Sequence, residues 1–210
     1  MYSSKRISKF YQIRGQWDSV DKSFVDYVNS GMALVQSEKR FFDAKSEDEL
    51  CGDKAIDVMF LEKAFLNGGL IYLFSQLEYY LHFAKREISR LLGKEDNTKF
   101  TRNIIKNEVE HIFSFRRETI DSIPSLNEKW KVILLYRDIR NVFVHDNGIT
   151  DKPEVFYNII FNNRISSLVT CILSYYQRTE ICITKDFVLQ VCKDITLFFN
   201  ELLDHFDTRC

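Results

Sequence analysis

The sequence predicts an all-α fold, an up-and-down helical bundle of about five to six helices, with one short strand or hairpin before the last. Three observations carry that expectation. Apolar residues recur at three-and-four spacing along most of the chain. Two prolines and seven glycines in 210 residues are too few for the turns of a sandwich or barrel. The apolar segments are separated by short polar stretches that carry helix start and stop signals. At 45% apolar composition the chain can bury a core, and its length fits a single domain over residues 1–210.

From about Trp17 to Phe42, apolar residues at Val20, Phe24, Val28, Met32, Leu34 and Val35 mark a first helix. In "DAKSEDELCGDK", Ser46 and Glu49 have capping-box spacing, so a second helix starts between Ser46 and Lys54. It runs to Gly93, where a left-handed cap suits glycine, and would span roughly 60 Å with a kink or break at Gly68–Gly69. A third segment, about Lys99 to Ile120, sets Ile104, Ile105, Val109, Ile112 and Phe113 on one side. Pro124 disfavours helix before it, and Ser125 with Glu128 forms a second capping-box pattern. A fourth helix therefore opens near Leu126 and ends at His145 before Asn147-Gly148. Beyond Pro153 the pattern fits one helix or a helix interrupted near Asn162-Asn163. "TEICIT" reads as a short strand, and Thr184 as the N-cap of a final amphipathic helix.

Charge and cysteine usage narrow the function classes. Twenty-nine basic against 30 acidic residues give a net charge of −1, which excludes the strong positive field of a protein that coats nucleic acid but leaves room for a local basic cleft. Five scattered cysteines without a C-x-x-C pair read as reduced thiols. No secretory signal or apolar run of membrane-spanning length is present, so the expected setting is cytoplasmic, with no membrane partner. No metal-binding spacing or phosphate loop occurs, and no cofactor is expected. His82, His111 and His205 read as ordinary helix residues.

The stretch "YRDIRNVFVHDNG" stands apart. At about 100° per residue, Val132, Leu135, Tyr136, Ile139, Val142 and Phe143 form a core stripe on the fourth helix. Arg137, Asp138, Arg140, Asn141 and His145 fall on the other arc, together with Ile133, Leu134 and Val144. Asn141 and His145 stack one turn apart, while Arg140 lies about 140° round from His145, within reach only through its long stem. "KNEVEH" imitates the pattern at Lys106, Asn107 and His111, but lysine lacks the planar fork that grips a phosphate.

"RNVFVH", Arg140 to His145, resembles the R-x4-6-H signature of the HEPN superfamily, in which a polar residue, often asparagine, follows the arginine. "SQLEYYL", Ser75 to Leu81, is similar to the early HEPN helix that often carries an acidic residue, here Glu78. The resemblance implies a HEPN core over about residues 50–205 and an N-terminal helical extension over residues 1–50. It further implies a metal-independent endoribonuclease of the toxin or phage-defence type, with an RNA substrate, a composite site in a homodimer, and an antitoxin or operon-encoded partner protein. The implied catalytic residues are Arg140, Asn141 and His145, with Asp138 and Glu78 as supporting candidates. Where the family often continues as H-x-Y, this chain has Asn147, so control by nucleotidylation of that tyrosine is not expected. The alternatives are a non-catalytic HEPN-like module that binds nucleotide, RNA or a partner protein, and a helical interaction protein with a chance motif.

Overall fold

The computed structural model describes residues 3–43, 52–94, 104–162, 164–173 and 178–207. In order they form α1 (Ser3–Asp43), α2 (Gly52–Leu91), α3 (Ile104–Ser114), a 3-10 turn (Ile120–Ser122), α4 (Pro124–Asp146), β1 (Ile149–Thr150), α5 (Pro153–Phe161), β2 (Val169–Leu173), β3 (Thr179–Ile183) and α6 (Lys185–Asp207). The fold is an all-α bundle with one small antiparallel sheet in the order β1-β3-β2.

Several helix ends follow from local chemistry. Past the end of α2, Gly93 has φ +64°, its N–H donates to the Arg90 carbonyl, and the Lys94 N–H reaches back to Ser89, a Schellman closure. The same closure ends α3 at Ser114, with Arg117 at φ +59° and the Glu118 N–H on the Phe113 carbonyl. The third helix is therefore shorter than expected, because its carbonyls are satisfied by that turn six residues before Ile120. Helix α4 starts at Pro124, where the missing N–H costs nothing. The Ser125–Glu128 capping box does not form: Ser125 already lies inside the helix, and its hydroxyl donates to Glu201. The other capping box, Ser46 with Glu49, lies outside the described residues. Thr184 caps α6 as expected, its Oγ1 accepting the Phe187 N–H at 3.1 Å.

Three further stretches refine the sequence expectations. Helix α1 begins well before Trp17, because Phe10 and Ile13 extend the same buried spacing, whereas Leu34 is 63% exposed. Helix α2 passes through Gly68–Gly69 without a break. The segment after Pro153 is interrupted at Asn162, whose Oδ1 accepts the Arg164 N–H and whose carbonyl accepts from Ile165. "VTCIL", within the stretch read as a helix, is strand β2, paired with β3 from Val169↔Ile183 to Leu173↔Thr179. A short apolar run has no period of its own, and here the hairpin partner decides.

The chain divides into two units, Met1–Lys22 with Leu73–Leu134 and Lys193–Cys210, and Ser23–Tyr72 with Leu135–Cys192. The first is helical and aromatic inside. Trp17 is fully buried, meets Tyr80 edge-on at 5.4 Å and Phe199 at 5.2 Å, and donates its indole N–H to Thr196. Trp130 stacks on Phe198, and Phe113 packs on Phe206. The second unit holds the sheet. Its core gathers Phe24, Val28 and Met32 of α1, Leu66 and Leu70 of α2, Tyr136 and Ile139 of α4, Ile181 of β3, and Phe187 and Val188 of α6. Gly31 admits the Phe65 ring, which would lie 2.1 Å from a Cβ at that position.

Candidate functional site

The part of α4 that carries the motif lies in the second unit. Tyr136, Ile139, Val142 and Phe143 are buried and anchor the helix, as the apolar stripe predicts, while Val132 and Leu135 are only half-buried. Ile133, expected on the displayed arc, is fully buried, so the apolar face is wider than the wheel indicates. The last turn emerges from the core: Val144, His145 and Asp146 are exposed.

The motif side chains separate into two groups. Arg140 and Asn141 are half-buried, and Arg140 Nη1 donates to Asn141 Oδ1 at 3.0 Å. The Asn141 amide thus holds its neighbouring guanidinium. Arg137 grips Asp138 Oδ1 through Nε and Nη2, at 3.1 and 2.7 Å. His145 has no hydrogen-bond partner among the described residues. Glu78 belongs to the first unit, apart in the chain's division from the motif residues in the second.

What surrounds His145 is set by the turn that follows it. Asn147 and Gly148 both take positive φ, +52° and +86°, and the Gly148 N–H closes on the Val142 carbonyl at 3.1 Å. A Cβ at Gly148 would lie 2.9 Å from the Phe143 ring, so glycine is required there for both space and dihedral. The Gly148 carbonyl accepts the Ile181 N–H at 2.8 Å, and the chain continues into β1, paired as Ile149↔Glu180 and Thr150↔Thr179. Extending that register by one residue sets Arg178 across from Asp151.

The result is a polar cleft of about 340 Å³ whose described lining is His145, Asp146, Asn147, Ile149, Asp151 and Arg178. Arg140, Asn141 and Asp138 are not among these residues. The described lining therefore presents an imidazole, one guanidinium and two carboxylates. Imidazole and carboxylate are proton-transfer groups, and a guanidinium complements an anion. Arg178 escapes sequence reading because its place depends on β1, a two-residue strand with no pattern of its own. The only hint was its position immediately before "TEICIT".

The other reactive groups look structural. Burial pushes the Cys171 thiol up, with a further push from Cys182; burial also raises Cys182, and Glu180 adds to it against the opposing pull of Lys63. A raised thiol is a poor nucleophile near neutral pH. No group of three or more His, Cys, Asp or Glu side chains suited to a metal ion occurs among the described residues, and no described helix is long and apolar enough to cross a membrane. Comparison with models of known protein families, with curated proteins and with solved structures finds no match.

Proposed function

We propose that this chain is a metal-independent endoribonuclease of the HEPN type, a cytoplasmic toxin or phage-defence effector whose composite site forms in a homodimer. The observation that carries the reading is His145: the histidine of "RNVFVH" stands exposed at the end of α4, in a polar cleft with an arginine. The family resemblance supplies the metal independence, the dimer and the RNA substrate.

In the proposed reaction the ribose 2′-hydroxyl attacks the adjacent phosphorus. Its proton passes to a base, the bond to the 5′-oxygen breaks, and an acid protonates that oxygen, leaving a cyclic phosphate and a 5′-hydroxyl. DNA lacks the nucleophile. Two copies of His145, one from each subunit, supply base and acid, and a guanidinium stabilises the phosphorane oxygens. The sequence assigns that last task to Arg140.

The test is incubation of purified protein with RNA and with DNA of the same sequence in excess chelator, beside His145→Ala. RNA cutting that survives the chelator and is lost in the variant is expected. Intact RNA with wild-type protein would sink the catalytic reading. The observation favouring the runner-up, a non-catalytic HEPN-like module, is that Arg140 and Asn141 are bonded to each other and do not line the cleft. Under that reading Arg140→Ala weakens the dimer on gel filtration and no cleavage exists to lose.

A further inference from the structure

We infer that Arg178, the residue immediately before β3, is the anion-gripping group of the His145 cleft, and that the cleft takes one phosphate of a ribonucleotide. The inference rests on the ribonuclease reading and deepens it by naming the group that holds the substrate. Three observations carry it. Arg178 is the lone arginine or lysine among the described residues lining the cleft, and it shares that lining with His145. Its position is built into the fold: Gly148, two residues past the end of α4, is hydrogen-bonded to Ile181, and the β1–β3 register carries Arg178 to a place across from Asp151. The motif arginine, Arg140, lies outside that lining, so among the described residues the cleft's guanidinium is the one the hairpin supplies.

The charges also limit what can bind. Against the Arg178 guanidinium stand the carboxylates of Asp146 and Asp151, so the described lining has no excess positive charge with which to track a phosphate backbone. An anion is favourable only close to the guanidinium fork, where two parallel N–H donors meet two phosphate oxygens. The carboxylates accept hydrogen bonds and repel further phosphates, so they suit neutral donors carried by the same ligand: a ribose hydroxyl or the amino group of a base. A cleft of about 340 Å³ is of a size for one nucleotide. A ribonucleotide 3′-phosphate meets these demands. Its deoxy counterpart offers one donor fewer.

Uridine 3′-monophosphate, titrated into the full chain while the His145 ring protons are followed by NMR, tests the assignment. Saturable shifts are expected in wild-type protein, with at least tenfold weaker binding in Arg178→Ala and intermediate binding in Arg178→Lys, which keeps the charge and loses the fork. Lys152→Ala, which removes a neighbouring exposed cation outside the cleft lining, is expected to bind as wild type, and the 2′-deoxy analogue to bind more weakly. Circular dichroism of each variant establishes that it is folded. Absence of shifts in wild type, or wild-type binding in folded Arg178→Ala, overturns the inference. The chelator-resistant RNA assay separates the two claims. Cutting that depends on His145 but is indifferent to Arg178 refutes this inference and leaves the ribonuclease reading standing. Phosphate binding through Arg178 without cutting does the reverse.

Discussion

The two units place their histidines in opposite settings. In the first, charged groups are locked together. Lys85 is 2% exposed, donates to Glu108 Oε1 at 3.0 Å and lies 2.8 Å from Oε2, with His82 Nδ1 3.3 Å from the same carboxylate. His205 meets Glu118 at 2.7 Å, while Arg116 donates to the carbonyls of His205 and Phe206 and covers the Phe206 ring at 4.6 Å. His111 lies edge-on to Phe115. In the second unit, His145 stands exposed beside Arg178 and two carboxylates. Histidine as a residue type says little about role. A histidine whose ring nitrogen is engaged by a carboxylate holds structure together, whereas one displayed in a polar cleft remains available for chemistry.

The sharpest way to break this contrast is to disturb the buried pair. Lys85→Ala leaves Glu108 without its cation and is expected to cost about 3–5 kcal/mol by chemical denaturation, while the double replacement Lys85→Met with Glu108→Leu recovers most of that loss. A difference below about 1 kcal/mol for the single variant would show the pair to be solvated. Next comes Gly148→Ala, at the turn that builds the cleft. Its positive φ and the Phe143 ring predict a cost of about 1–3 kcal/mol, accompanied by loss of the His145 ring-proton shifts on phosphate titration. Unchanged stability and binding would mean that the turn does not place Arg178.

A smaller effect belongs to Glu201 in the first unit. Burial acts to raise its pKa, but hydrogen bonds from Lys129 and Ser125 and the Lys129 charge outweigh it and hold the carboxyl below its ordinary range. A depressed folded-state pKa contributes stability that is complete above the unfolded value of about 4.3 and is lost as pH falls through the folded one. Glu201→Gln is thus expected to flatten the decline in stability below about pH 5, as measured by denaturation across pH, and a decline matching wild type would refute the assignment. The smallest stability change is predicted for His145→Ala, within about 0.5 kcal/mol, since the ring is exposed. Near-wild-type stability combined with lost RNA cutting is the signature of a residue kept for chemistry. A large loss of stability would place His145 with His82 and His205.

Much of the architecture was legible wherever a local pattern had a local cause. The three-and-four spacing of Phe24, Val28, Met32 and Val35, the glycine cap at Gly93, the Thr184 N-cap and the β-branched run "TEICIT" each depend on neighbours a few residues away. Expectations failed where a distant partner decided. Ser125 turned from its cap to Glu201, and "VTCIL" became a strand because β3 lay ready to pair with it. Ile133, read as displayed, was buried by packing that no single-helix wheel contains.

The candidate site divides along the same line. Sequence alone determined that the chain is an all-α bundle, that "RNVFVH" lies near the end of a helix, and that a glycine turn follows it. Periodicity and capping are short-range physics, encoded within a turn or two of helix. Only the tertiary structure decided which arginine shares a cleft with His145. Hydrogen bonds from β3 to Gly148 and β1 bring Arg178 there, while Arg140 is engaged with Asn141. Cross-strand register is a long-range property that a two-residue strand does not announce in its own sequence.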